Sequence, residues 1–157
     1  ATLKFEAECL NWTTPPPSLE DMSVQAKFDR ATSEKARGNT EIKAKNFYAA
    51  ATAYSEAIRC LEHALDTMSG DEDEELLGSC EELLMSCRGN ASLAALKLED
   101  WDSAVVHASA VLEFDNDNVK ALFRRGTAQS KLGALEEAWE DLLAAAKLQP
   151  ADKAIRA

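Results

Sequence analysis

Three short stretches, KARGN at 35–39, CRGN at 87–90 and VKALFRRG at 119–126, hold the residues of this sequence best suited to gripping an anion. Lys35 and Asn39 are four positions apart, as are Lys120 and Arg124. On a helix that spacing puts the members of each pair on one face. Asn90 lies between the pairs in the chain. Lys and Arg supply charge-assisted hydrogen bonds worth about 1.5–3 kcal/mol each when well placed. Asparagine amides add neutral donors, which hold an oxygen without further repulsion among the cations. The chain as a whole has 28 acidic residues against 17 Lys and Arg, a net charge of -11. Such a protein binds an anion only where its few cations converge in one concavity. Arg125 sits one step, about 100°, round the helix from Arg124, so it leaves that face for a structural or rim position. The competing reading of each pair taken singly is a solvated helix surface, where most Lys and Arg reside.

The elements that must position these residues are helices. Leu, Ala, Glu and Lys dominate, and β-branched and aromatic residues are few, a balance that favours helix over sheet. At 157 residues, 46% of them apolar, the chain can build a single core without staples. Periodicity and breakers predict helices over about 19–45, 47–67, 73–98, 101–113, 118–132 and 134–148, with a seventh beginning near Ala151. Ser18 with Asp21 suits a loose capping box, and Asp100 and Asn118 suit N-caps. The acidic run 71–75 reads as a solvated loop feeding a helix N-terminus. Residues 1–12 differ: Leu3, Phe5, Ala7 and Cys9 alternate with charged residues, the signature of a half-buried strand. A proline-rich linker follows at 13–18. One strand cannot be a domain, so 1–12 is expected to be the last strand of an upstream domain.

The helices repeat. Ala104, Ala108 and Val111 recur as Ala138, Leu142 and Ala145, 34 positions on, with Pro150 following. Ala50, Tyr54 and Ala57 precede them by 54 positions, one period plus 20. A helix-turn-helix period of 34 resembles the tetratricopeptide repeat (TPR). The fold expected is all-α: three such repeats over 19–150 in a right-handed superhelix (an α-solenoid), preceded by the stray strand. A capping helix would begin at 151–157. The extra 20 residues should lengthen the second and third helices. In such stacks the first helix of each pair lines the concave face, which would bring Lys35, Asn39, Asn90, Lys120 and Arg124 to one groove.

Several function classes are excluded. No apolar run reaches the roughly 20 residues of a membrane span, and no signal peptide is recognisable. The acidic balance argues against nucleic acid. Cys9, Cys60, Cys80 and Cys87 form no CxxC pair, and two distant histidines add no metal spacing. Cys80 and Cys87 would lie two turns apart on one helix, too far to bridge, so reduced thiols and a cytoplasmic location are expected. There is no nucleophile–base pair, metal cluster or phosphate loop; no catalytic residue and no cofactor are expected.

KARGN, CRGN followed by ASLAAL, and KALFRR resemble the two-carboxylate clamp of TPR co-chaperones. The resemblance implies a partner: the C-terminal Glu-Glu-Val-Asp tail of cytosolic heat-shock chaperones, heat-shock protein 90 or the seventy-kilodalton class. It implies Lys35, Asn39, Asn90, Lys120 and Arg124 as the carboxylate-binding set, with Lys97 as a weaker auxiliary lysine. Ile42 and Leu93, three residues after Asn39 and Asn90, would either pack in the core or line a pocket for an apolar side chain of the ligand. LKFEAECLNW, the linker and a long first helix bearing KARGN resemble the junction in FKBP-type immunophilins, where a peptidyl-prolyl isomerase domain precedes three repeats. The isomerase active-site residues cannot lie within this chain, so it is not expected to be an enzyme itself. The alternative is a stand-alone TPR scaffold for another partner, without an isomerase domain.

Overall fold

The computed structural model describes residues 17–68 and 74–150. Among them are a 3-10 turn at Leu19–Asp21 and six α-helices. These are α1 (Val24–Lys43), α2 (Phe47–Thr67), α3 (Glu74–Lys97), α4 (Trp101–Phe114), α5 (Val119–Leu132) and α6 (Leu135–Leu148). No strand occurs among the described residues. The strand expected over 1–12, most of the linker at 13–18 and the helix expected from 151 lie outside them.

The first helix starts later than the sequence suggests. The Ser18 hydroxyl donates to the Asp21 carboxylate at 2.7 Å and closes only the 3-10 turn. Ser23 is the true N-cap of α1, its Oγ accepting from the Ala26 amide. Asp100 and Asn118 cap α4 and α5 as expected, accepting from Ser103 and Ala121. Asn46 precedes α2 without capping it, because its amide donates to Glu41 instead.

Three helices end in the same turn. Lys45 (φ 62°), Glu99 (φ 60°) and Gly133 (φ 86°) all adopt the left-handed conformation just past α1, α3 and α5. After each, the next amide reaches back five residues: Asn46 to Glu41, Asp100 to Ala95, and Ala134 to Gln129. This is the Schellman geometry, which satisfies the last carbonyls and reverses the chain. Only the third uses glycine, so the first two hold a side chain where it is sterically costly.

Each helix packs chiefly on its sequence neighbours, and α3 also touches α1 and α5. Short connections make consecutive helices antiparallel, and α1, α3 and α5 stand side by side as one wall. The expected lengthening is present, α2 having 21 residues and α3 24, against 14 in each later helix. In place of the single core anticipated from chain length, buried side chains form three successive clusters. The reason is the linear packing order: α1 and α6 share no neighbour, so no one centre exists for all six to surround. Alanine fills the contacts. Ala50, Ala53, Ala57, Ala104, Ala108 and Ala145 have no exposed surface.

Two glycines in these helices differ in their surroundings. A Cβ on Gly38 would lie 2.5 Å from the Tyr54 ring, whereas one on Gly78 would meet nothing within 4 Å. Gly38→Ala should therefore destabilise by about 1–3 kcal/mol through overpacking. Gly78→Ala should stabilise by about 0.5–1 kcal/mol by restricting the unfolded chain. Urea denaturation of the two variants should give shifts of opposite sign.

Candidate functional site

The five carboxylate-binding candidates all stand on the α1, α3 and α5 wall. Asn39 and Asn90, 51 residues apart in sequence, meet directly: the Asn90 amide donates to Asn39 Oδ1 at 3.0 Å. The same oxygen accepts the Tyr54 hydroxyl at 2.8 Å. Tyr54 is 1% exposed and comes from α2, behind the wall. In the sequence Tyr54 stands out only as a packing position of the repeat. The available signal was the hydroxyl, since a buried tyrosine needs a polar partner that phenylalanine would not.

Arg124 crosses from α5 to α3, where Nη1 donates to the Gly89 carbonyl at 2.6 Å and lies 3.5 Å from Ser92 Oγ. Ser92 is fully buried and donates to the same carbonyl. Burial holds the Arg124 guanidinium below its ordinary pKa, yet it stays charged at neutral pH. Lys120 and Arg124 border two neighbouring hollows. One, of about 330 Å³, is also lined by Met85, Asn90 and Phe114, with Glu82 and Asp115 contributing acid groups. The other, of about 440 Å³, is apolar along Leu93, Leu96, Trp101 and Phe123, with Lys97 and Lys131 beside them. Of the auxiliary candidates, Leu93 and Lys97 thus line the second hollow. Ile42 packs against the core formed by the first three helices and lines neither.

The three motifs hold six basic residues, which divide by partner. Arg37 pairs with Glu34 at 2.6 Å, Arg88 pairs with Glu62 on α2, and Arg125 is gripped by Asp141 on α6. The Arg125 contact is bidentate, Nε to Oδ2 at 2.6 Å and Nη2 to Oδ1 at 2.7 Å. Asp141 raises the Arg125 pKa further. Arg125 is therefore a structural tie, as its helical phase indicates. Lys35, Lys120 and Arg124 have no carboxylate partner among the described residues. Of the six basic residues in the three motifs, these three are the ones left without a carboxylate. Among the described residues no cluster of potential metal ligands occurs, and no helix is long and apolar enough to cross a membrane.

Cys87 lies beneath the site. Burial pushes its thiol up to about 11, while the nearby Lys35 ammonium pulls the other way. An ordinary thiol ionises near 9.0, so on raising the pH the unfolded chain ionises first. The stability tied to this group is complete below pH 9 and declines between about pH 9 and 11. The two-unit shift corresponds to a loss on the order of 3 kcal/mol. Denaturation midpoints of the native protein should fall across that window more steeply than those of Cys87→Ala.

No profile of an established protein family matches the chain. Individual proteins do. Peptidyl-prolyl cis-trans isomerase FKBP42 of Arabidopsis thaliana is 32% identical over 99% of this chain, which spans 42% of that protein's length. The C-terminal TPR-containing domain of an FK506-binding protein of Plasmodium falciparum superimposes with a TM-score of 0.81 at 34% identity, covering 88% of this chain and 89% of that one. The second TPR domain of human RPAP3, solved with the HSP70 peptide SGPTIEEVD, gives a TM-score of 0.62 at 26% identity over 83% of this chain and 92% of that one. Because the Plasmodium domain is 34% identical and matched over most of both chains, the chain belongs to the TPR domains of the FKBP-type immunophilins, the helical part of those proteins and not their catalytic domain.

Proposed function

We propose that this domain is a chaperone-docking module that binds the C-terminal Glu-Glu-Val-Asp tail of heat-shock protein 90, and of the seventy-kilodalton class as a second ligand. The observation that carries the proposal is the division of charge: Lys35, Lys120 and Arg124 share one wall without a carboxylate of their own, beside the joined amides of Asn39 and Asn90. A terminal aspartate brings two carboxylates, which suit separated lysines and an arginine better than a single-charge anion does. Lys97 and Leu93, at the apolar hollow next to Lys120, suit the residues that precede the terminus. The HSP70 peptide with which the RPAP3 domain was solved ends in the same four residues, preceded by Ile.

The architecture is read as three repeats in a right-handed superhelix. The three identical turns support this, since Lys45, Glu99 and Gly133 are separated by the same 54 and 34 positions as the buried alanines. The parent protein is read as a prolyl isomerase, on the strength of the relative named for that activity.

Calorimetry with the peptide Ser-Arg-Met-Glu-Glu-Val-Asp tests the proposal. A micromolar dissociation constant, about -8 kcal/mol, is expected. Amidating the peptide terminus should abolish binding, and Lys120→Ala and Arg124→Ala should each weaken it at least about tenfold while helicity is retained. Arg125→Ala should leave affinity unchanged and lower only stability. Harmless amidation, or a larger effect at Arg125 than at Arg124, would overturn the assignment.

A further inference from the structure

We infer that Tyr54 is a positioning residue for the peptide carboxylate: its hydroxyl fixes which end of the Asn39 amide faces the ligand. The inference rests on the docking function proposed above and extends it to a residue off the wall. A primary amide has one accepting and one donating end of nearly equal size, and nothing in its shape prevents a half-turn that exchanges them. A carboxylate can be held only by the donating end. An amide turned the other way would set an oxygen against an oxygen.

Two contacts set the orientation. Asn39 Oδ1 accepts the Tyr54 hydroxyl at 2.8 Å and the Asn90 amide at 3.0 Å, which uses both of its lone pairs. Asn39 Nδ2 then has no partner among the described residues and is the end that remains to donate. Asn90 gives one N–H of its own amide to Asn39 and, like any primary amide, carries a second.

The hydroxyl reaches Asn39 because of Gly38. The Tyr54 ring lies so close over α1 at this point that an added Cβ would sit 2.5 Å from Cε1 and 2.8 Å from Cζ. A glycine immediately before the amide thus lets a side chain from the neighbouring helix pass across the backbone to its far side. Burial raises the Tyr54 pKa, with the nearby Cys87 adding to the shift and Asn90 opposing it. The phenol is therefore a protonated donor throughout the neutral range.

The experiment is a double-mutant cycle on Tyr54→Phe and Asn39→Ala, read by calorimetry with Ser-Arg-Met-Glu-Glu-Val-Asp and by circular dichroism. Tyr54→Phe keeps the ring against Gly38 and removes one oxygen. It should retain helicity and weaken peptide binding about fivefold. Because the hydroxyl acts only through Asn39, the double variant should bind no more weakly than Asn39→Ala alone. Additive losses, or an affinity unchanged in Tyr54→Phe, would refute the positioning role while leaving the docking function intact. Loss of helicity in Tyr54→Phe would make the hydroxyl a folding group and overturn the inference. Failure of the native protein to bind the peptide would remove both readings together.

Discussion

The Tyr54 ring lies so close over α1 at Gly38 that no residue but glycine fits there without a shift: an added Cβ would stand 2.5 Å from the ring. This contact sets how near α2 can stand to α1, and through the Tyr54 hydroxyl it links that distance to Asn39 and across to Asn90 on α3. A comparable approach recurs at the other end, where a Cβ on Gly126 of α5 would lie 2.9 Å from the Leu142 side chain and 3.1 Å from the Ala138 carbonyl on α6. Between these points alanine lines the contacts. Small residues exchange side-chain burial for close helix approach, and dispersion over many short contacts replaces the burial lost. The wall inherits its spacing from these contacts behind it, which is why a residue outside the wall can govern one on it.

Charge is organised by the same geometry. With 28 acidic residues and 17 basic ones, carboxylates are in excess, and among the described residues it is arginines that pair with them. Arg37, Arg88 and Arg125 do so, the last two with carboxylates on α2 and α6 behind the wall. Pairing Arg125 with the nearly buried Asp141 also ties α5 to α6 beside the glycine that lets them touch. What remains on the wall is a small excess of positive charge within an acidic molecule. An acidic ligand is repelled at long range and attracted at contact, so only a group that reaches the wall gains from it. Salt screens the distant repulsion more than the close, partly buried attraction. Arg124, braced on the Gly89 carbonyl, enters this arrangement already ordered, which lowers the conformational cost of using it.

The linear packing order explains how the chain tolerates its long α2 and α3. Each helix contacts only near neighbours, so lengthening one pair extends a local interface without disturbing the next. The same turn follows α1 and α3 although one pair is longer than the other, because the Schellman geometry depends on the last helical turn alone.

The six helices among the described residues, and most of their bounds, were legible in the sequence because they rest on local rules. Apolar spacing marks the helices, Asp100 and Asn118 mark starts, and Gly133 marks a stop. The division between Arg124 and Arg125 was legible for the same reason, since 100° of helical phase separates a wall residue from a tie to α6. The start of α1 was misread, because Ser18 and Ser23 are equally good caps in isolation and only the 3-10 turn between them distinguishes the two. Alignment of Asn39 with Asn90 could be anticipated, but not that they bond each other, nor that Tyr54 joins them. Those contacts join residues up to 51 positions apart, and their geometry is set by how closely three helices pack. Local sequence determines which side chains a helix presents. Which end of an amide faces outward, and which cations lack a carboxylate, are decided only when neighbouring helices bring in the partners.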